Sequence, residues 1–359
     1  MSGSAQQTLG QLRAQFDANL PAGPHGYFAG GACDERVLAA NEAAWADWQT
    51  HPHVMVDVSN RDHSTTVLGK LKPHPLIAAP TAYHRLAHPG GEPETALGCG
   101  LADATFTHST LATTRPGEVS TAAPETSRWF QIYMFRDRAI TFDLIDEAVE
   151  TGFEALVLTV DLPVLGRRER DILSSFEVGD AMTIPGVAAS GAAGTVSMQD
   201  TADLIDPSLT WSDVANLASR CALPLVVKGI LRPDDAIEAI ANGASGVVVS
   251  NHGGRQLDSV PATAHVLADI ADAVGSKSTV IVDGGIRRGT DVFTAMALGA
   301  DAVMLGRPIL WGLAANGAAG VASAFGIVRD ELDRALALSG CPRADSLKGR
   351  SDIVRPVSR

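Results

Sequence analysis

The chain has 359 residues, 45% of them hydrophobic, and its 28 Lys and Arg against 41 Asp and Glu leave a formal net charge of −13. That composition supports one large barrel or two medium domains and argues against nucleic acid or an anionic membrane surface as the main partner. No leader-like segment or apolar run near the ~18 residues of a membrane span is visible. The four dispersed cysteines form no C-x-x-C pair, so reduced thiols in a cytoplasm are expected and a metal site is not.

Residues 1–75 contain a predicted helix near Asp34–Gln49 and an extended stretch, Val54–Leu68, placed to cap the bottom of the fold. Eight apolar runs follow, at Leu76–Thr81, Ala104–Ser109, Arg128–Tyr133, Ala155–Asp161, Pro224–Gly229, Gly246–Gly253, Thr279–Ile286 and Ala302–Pro308. Between them, stretches such as Arg138–Thr151, Pro233–Asn242 and Gly289–Gly299 carry apolar residues at three-to-four spacing, and several end in Gly. Strands alternating with helices eight times predict an α/β fold, a (β/α)₈ TIM barrel. A doubly wound sheet would show a glycine fingerprint after its first strand. The expected organisation is one domain over 1–359: an N-terminal helical cap (1–75), the barrel (76–340) and a long lid loop after strand 4. That loop, 177–207, is rich in Gly, Ala and Ser and without sustained periodicity. It reads as a mobile lid or as a tolerated surface insertion.

Reactive residues collect where each run ends, the face of such a barrel that carries chemistry. They are Thr81, Ser109, Gln131 and Tyr133, Thr159 and Asp161, Lys228, Ser250 and His252, Asp283 and Arg287, and Arg307. The densest string is Ser250–Asp258 (SNHGGRQLD), combining a proton carrier, His252, with a carboxylate-gripping guanidinium, Arg255, and paired glycines. Asp283-Gly284-Gly285-Ile286-Arg287 and Gly306-Arg307 follow strands 7 and 8, where glycine-freed amides and two guanidiniums suit a phosphate. Each string alone is also a common turn.

From Tyr27–Gly31 to Leu338–Cys341 the chain resembles the FMN-dependent 2-hydroxy-acid oxidases and dehydrogenases. The resemblance rests on SNHGGRQLD, Leu165–Glu169 (LGRRE), Asp283–Gly289 (DGGIRRG), Ala79–Ala82 and Phe130–Tyr133. Through Ala82–Leu86 it is most similar to the mandelate and 4-hydroxymandelate oxidases. The resemblance implies FMN as cofactor and His252 as the active-site base, with Asp161 orienting it and raising its basicity. Arg255, Arg168 and the Tyr27 hydroxyl would bind the substrate carboxylate, and Tyr133 its hydroxyl. Thr81 and Ala82 would line the reactive nitrogen of the flavin, while Ser109, Gln131, Thr159, Lys228 and Ser250 would serve its ring edge. Asp283 would meet the ribityl chain, and Gly284, Gly285, Arg287, Gly306 and Arg307 the phosphate. Read without the resemblance, Tyr27 is a packing aromatic, Asp161 a turn cap before Pro163, and Lys228 a partner for a core carboxylate.

Leu111 stands where glycolate-type members commonly carry Trp, so the expected substrate is an (S)-2-hydroxy acid with a bulky or aromatic side chain, mandelate-like. Oxygen is the expected acceptor, giving hydrogen peroxide, and a quinone or carrier protein is the alternative. The small-residue lid, without a strongly apolar insert, predicts no membrane attachment, and the resemblance implies a homotetramer. The rival readings are an isomerase of the type 2 isopentenyl diphosphate isomerase kind, a lactate or glycolate dehydrogenase, and a non-enzymatic flavin-binding protein.

Overall fold

In the computed structural model the residues described are 7–178, 184–189 and 197–357. The eight predicted runs form the strands β1 (Leu76–Ala78), β2 (Thr105–Ser109), β3 (Arg128–Ile132), β4 (Leu156–Thr159), β5 (Leu225–Ile230), β6 (Gly246–Val249), β7 (Thr279–Val282) and β8 (Ala302–Leu305). Each pairs in parallel with the next, and β8 closes on β1 through Val303 opposite Leu76. Both faces of every strand are covered, which is why the runs read as continuous apolar stretches without alternation. Alternate residues nevertheless go separate ways. Ile77, Trp129, Val157, Val226, Val248, Ile281 and Met304 fill the barrel interior, while Leu76, Phe106, Phe130 and Leu158 belong to the shell under the helices. The hairpin of Thr65–Val67 and Lys70–Lys72 joins the interior cluster through Val67 and Leu68, with the Leu68 amide donating to Thr279 Oγ1.

The barrel helices are α1 (Gly91–Leu101), α2 (Pro116–Ala122), α3 (Arg138–Glu150), α4 (Trp211–Arg220), α5 (Pro233–Ala241), α6 (Thr263–Val274), α7 (Gly289–Ala297) and α8 (Arg307–Ser339). In α3, Asp137 caps the Ala139 amide, and Ile140, Leu144, Ile145 and Ala148 supply the buried stripe. By length and composition α8 could cross a membrane. Half of its apolar stretch is buried in the fold, and non-helical dihedrals at Asn316 and Gly317 break it.

Two expectations need correction. Asp34–Gln49 is not one helix: Arg36–Ala43 is helical, Ala44–Asp47 is a 3₁₀ turn, and Trp48–Thr50 pairs antiparallel with Val354–Pro356. The Trp45 indole N–H is drawn to the Gly284 carbonyl, and the chain terminus supplies the strand partner. Periodicity cannot register either pull. Nor is 177–207 a single structureless lid, although 179–183 and 190–196 lie outside the described residues. Met198–Asp203 is a helix with a Ser197/Asp200 capping box, and Ile205 bridges Phe135. The Asp206 amide donates to the Met134 carbonyl, and its carboxylate pairs with Arg138.

Candidate active site

The turn after β6 is held in an unusual backbone state: His252, Gly253 and Gly254 have φ of 59°, 65° and 76°. A Cβ on Gly254 would lie 2.6 Å from the Leu38 amide nitrogen, so only glycine fits. His252 does carry a Cβ there, at a cost of about 1–3 kcal/mol. Two bonds hold it: its amide donates to Ser250 Oγ (3.2 Å), and its Nδ1–H donates to Asp161 Oδ1 (2.8 Å). Asp161 lies two residues beyond β4. With Nδ1–H committed to a carboxylate, Nε2 carries the lone pair, and it stands 3.4 Å from the Tyr133 hydroxyl. Burial is the largest influence on His252 and lowers its pKa; Asp161 opposes this and is outweighed. Asp161 does raise the basicity of the ring, but burial outweighs it, and the imidazole is neutral at neutral pH. Burial pushes the Tyr133 hydroxyl pKa upward, so it is a proton donor.

The remaining motif residues dock the N-terminal segment. Asp258 accepts from the Arg36 and Val37 amides, capping their helix, and the Gln256 side chain donates to the Asp161 and Val164 carbonyls. The Ala32 amide donates to the Gly254 carbonyl, and Asn41 exchanges side-chain bonds with Asn251. This docking positions Tyr27, which lies in the helix Ala22–Ala29 and is buried. Arg255 lies 4.7 Å and Arg168 5.9 Å from the Tyr27 ring centre. One Arg255 Nη donates to the Tyr27 and Gly30 carbonyls. Burial, then the neighbouring Arg168, pulls the Arg255 pKa down to about 10. Asp171 is the nearby carboxylate, and desolvation raises its pKa. Two close guanidiniums with weak compensation favour an anion at this end.

The opposite end is built from β5, β7 and β8. Lys228 Nζ donates to Ser250 Oγ (3.0 Å) and pairs with Asp283 (3.3 Å). Burial alone would lower its pKa, but Asp283 and Asp161 together hold it above the usual value. Gly285 has φ of 77°, and a Cβ there would strike the Asn41 carbonyl. Arg307 donates to the carbonyls of Phe28, Gly30 and Gly253, leaving two of its five N–H groups uncommitted. Burial brings its pKa down to about 9. Arg287 faces the Trp311 ring (5.1 Å) and pairs with Glu42.

These parts surround one cleft. Tyr27, Thr81, Ala82, Ser109, Leu111, Tyr133, Thr159, Arg168, Lys228, His252, Arg255, Asp283, Gly284, Gly285, Arg287, Gly306 and Arg307 all line it. Asp161 does not; it stands behind His252. Gln131 and Ser250 also stand behind the lining. Gln131 bridges Ser109 and Thr159, and Ser250 braces Lys228 and His252.

A sequence model of the FMN-dependent dehydrogenases matches residues 16–355. The chain belongs to the FMN-dependent dehydrogenase family. Human 2-hydroxyacid oxidase 1 is 42% identical over 335 residues, covering 90% of each chain. The L-lactate oxidase of Nostoc sp. is 43% identical over 331 residues, 89% of this chain and 91% of the other. A mandelate oxidase variant solved with (S)-mandelic acid superposes with a TM-score of 0.87 at 35% identity, over 96% of this chain and 97% of that one. The activity common to these relatives is FMN-dependent oxidation of a small 2-hydroxy acid. The cleft fits FMN. Among the described residues Asp283 Oδ1 and Arg287 Nε are buried polar atoms without a protein partner, and Lys228, Arg287 and Arg307 bring three cations toward a phosphate-bearing ligand. Among the described residues no cluster of ligating side chains suits a metal ion.

Sequence reasoning missed the family cleft's apolar wall: Leu162, Leu165, Met198, Ala202 and Ile205, with Thr201 among them. The Ser197-x-x-Asp200 capping box was the available signal for the helix carrying three of these.

Proposed function

We propose that this protein oxidises an (S)-2-hydroxy acid with a bulky or aromatic side chain to the 2-keto acid, passing the electrons to oxygen and forming hydrogen peroxide. The observation that carries this reading is the apolar wall of Leu111, Leu162, Leu165, Met198, Ala202 and Ile205 in the same cleft as the two guanidiniums. Arg255 and Arg168 grip the carboxylate, which leaves the substituent to the wall. Tyr133 donates to the substrate oxygen. His252 Nε2, neutral and 3.4 Å from the Tyr133 hydroxyl, accepts the proton. Asp161 stabilises the imidazolium that results. FMN, when bound, supplies the two-electron acceptor that side chains lack.

Burying a phenyl ring in place of a methyl supplies a few kcal/mol at ~25 cal/mol per Å². The test is kcat/KM for mandelate, 4-hydroxymandelate, lactate and glycolate, with oxygen uptake compared against artificial-dye reduction. Mandelate-type acids ahead of glycolate, with stoichiometric peroxide, support the proposal. Glycolate or lactate as the best substrate, the activities named for the sequence relatives, overturns its substrate class. Dye reduction without oxygen uptake overturns the acceptor.

A further inference from the structure

The loops after β1 and β2 are joined by a buried carboxylate that lines no part of the cleft. Glu92 stands in the first turn of α1 and is 1% exposed. Gly91 before it has φ of 57°, and a Cβ there would lie 2.8 Å from Arg85 Cγ, so glycine lets the helix begin against this loop. Glu92 Oε1 accepts from the His84 amide after β1 (3.0 Å) and from the Thr113 amide after β2 (2.9 Å). Oε2 accepts from the hydroxyls of Thr113 and Thr114. Four donors from two loops converge on one side chain, and only a carboxylate accepts at both of its ends. The helix N-terminus favours the charge, and the donors replace the water that burial removes.

The consequence falls on Leu111, which lies between two anchors. Ahead of it, the Thr110 amide and hydroxyl both donate to the Gln131 carbonyl of β3. Behind it, Thr113 and Thr114 are tied to Glu92. From the side, the Tyr83 amide donates to the Leu111 carbonyl (3.3 Å). Tyr83 has φ of 61°, a left-handed state that few residues with a side chain adopt. The amides on both sides of its α-carbon are held, its own by Leu111 and that of His84 by Glu92.

We infer that Glu92 is a positioning residue for substrate selectivity: by latching the β1 loop to the β2 loop it fixes Leu111 in the apolar wall of the cleft, and so sets how strongly a bulky substituent is preferred over a small one. A wall already in place packs against a large group at once, whereas a loop free to move must first be ordered. The inference rests on the substrate reading above, in which Leu111 faces the substituent, and adds the residue that holds Leu111 there.

The experiment measures kcat/KM of the FMN-loaded protein for mandelate and for lactate and follows their ratio. Glu92→Ala removes the latch and is expected to lower the mandelate-to-lactate ratio about tenfold, chiefly through a raised KM for mandelate. Glu92→Gln keeps one acceptor for the two amides and should recover most of the ratio. With Leu111→Ala already in place, Glu92→Ala should change the ratio no further. Loss of both activities in proportion would show that Glu92 only supports the fold and would overturn its role. An unchanged or raised ratio, or an effect that persists without the Leu111 side chain, would overturn it as well. If Glu92→Ala does not fold, Thr113→Val decides: it removes one donor to Glu92 and should lower the ratio about threefold, and an unchanged ratio overturns the role. An unaltered protein that prefers lactate refutes the substrate reading, while the response of the ratio to these variants still decides the role of Glu92.

Discussion

Asp161→Asn separates charge from geometry at the base. Asparagine can still accept from His252 Nδ1–H across the 2.8 Å contact, so the ring orientation is retained and only the carboxylate charge is lost. Unit charges with centres about 4 Å apart attract by about 4 kcal/mol at an effective dielectric near 20. If the imidazolium is half-formed in the transition state, about 2 kcal/mol of stabilisation disappears, or ~30-fold in rate. The sign of the pH effect is also fixed. Burial already depresses the His252 pKa while Asp161 opposes it, so removing the charge depresses it further. The acid limb of the rate profile should move to lower pH even as the plateau falls. Anaerobic stopped-flow bleaching of bound FMN, followed from pH 4 to 8, measures both. Wild-type rates with an unmoved limb would reduce Asp161 to a turn-capping residue, and a limb moving upward would refute the electrostatic assignment. Asp161→Ala, which also releases the ring, should be slower than Asp161→Asn.

His252→Ala should retain FMN yet slow its bleaching by at least ~10²-fold; a wild-type rate would place the base elsewhere. Arg255→Leu should raise KM and lower kcat together, because the carboxylate is held in ground and transition states alike. Replacing Arg287 and Arg307 by Leu should weaken FMN retention strongly, each charged contact being worth ~1.5–3 kcal/mol. Fluorescence titration with FMN measures this, and the apoprotein melting temperature separates it from loss of the Arg307 bonds to Phe28 and Gly30. Leu111→Trp should move kcat/KM toward glycolate and lactate, since a packed wall yields poorly to an added ring; an unchanged order would remove Leu111 from the pocket. His108 lies among Phe106, Phe130 and Phe153, and burial pulls its pKa down to about 4. The unfolded chain binds that proton from about pH 6.5, so stability present above 6.5 is lost as pH falls toward 4. His108→Leu should flatten that slope in urea titrations.

The barrel was legible in the sequence because strands covered on both faces must be apolar throughout, and helices between them must alternate every three to four residues. Gly246–Val249 and Arg138–Glu150 show each rule within a few residues of the observed ends. The reactive groups were legible for a related reason: in a parallel barrel the strand ends face one side, so Lys228, His252 and Arg307 converge once the strands are placed. Other features depended on contacts between segments far apart in the chain. Trp48–Thr50 is a strand only because Val354–Pro356 lies beside it, and Asp258 caps a helix 222 positions earlier in the chain, at Arg36. The same holds for protonation. The sequence supplies an aspartate and a histidine, but the depth of burial decided that His252 is neutral. Local pattern sets secondary structure because its forces act over one turn or one pleat. Solvent exclusion and hydrogen-bond polarity belong to the assembled fold.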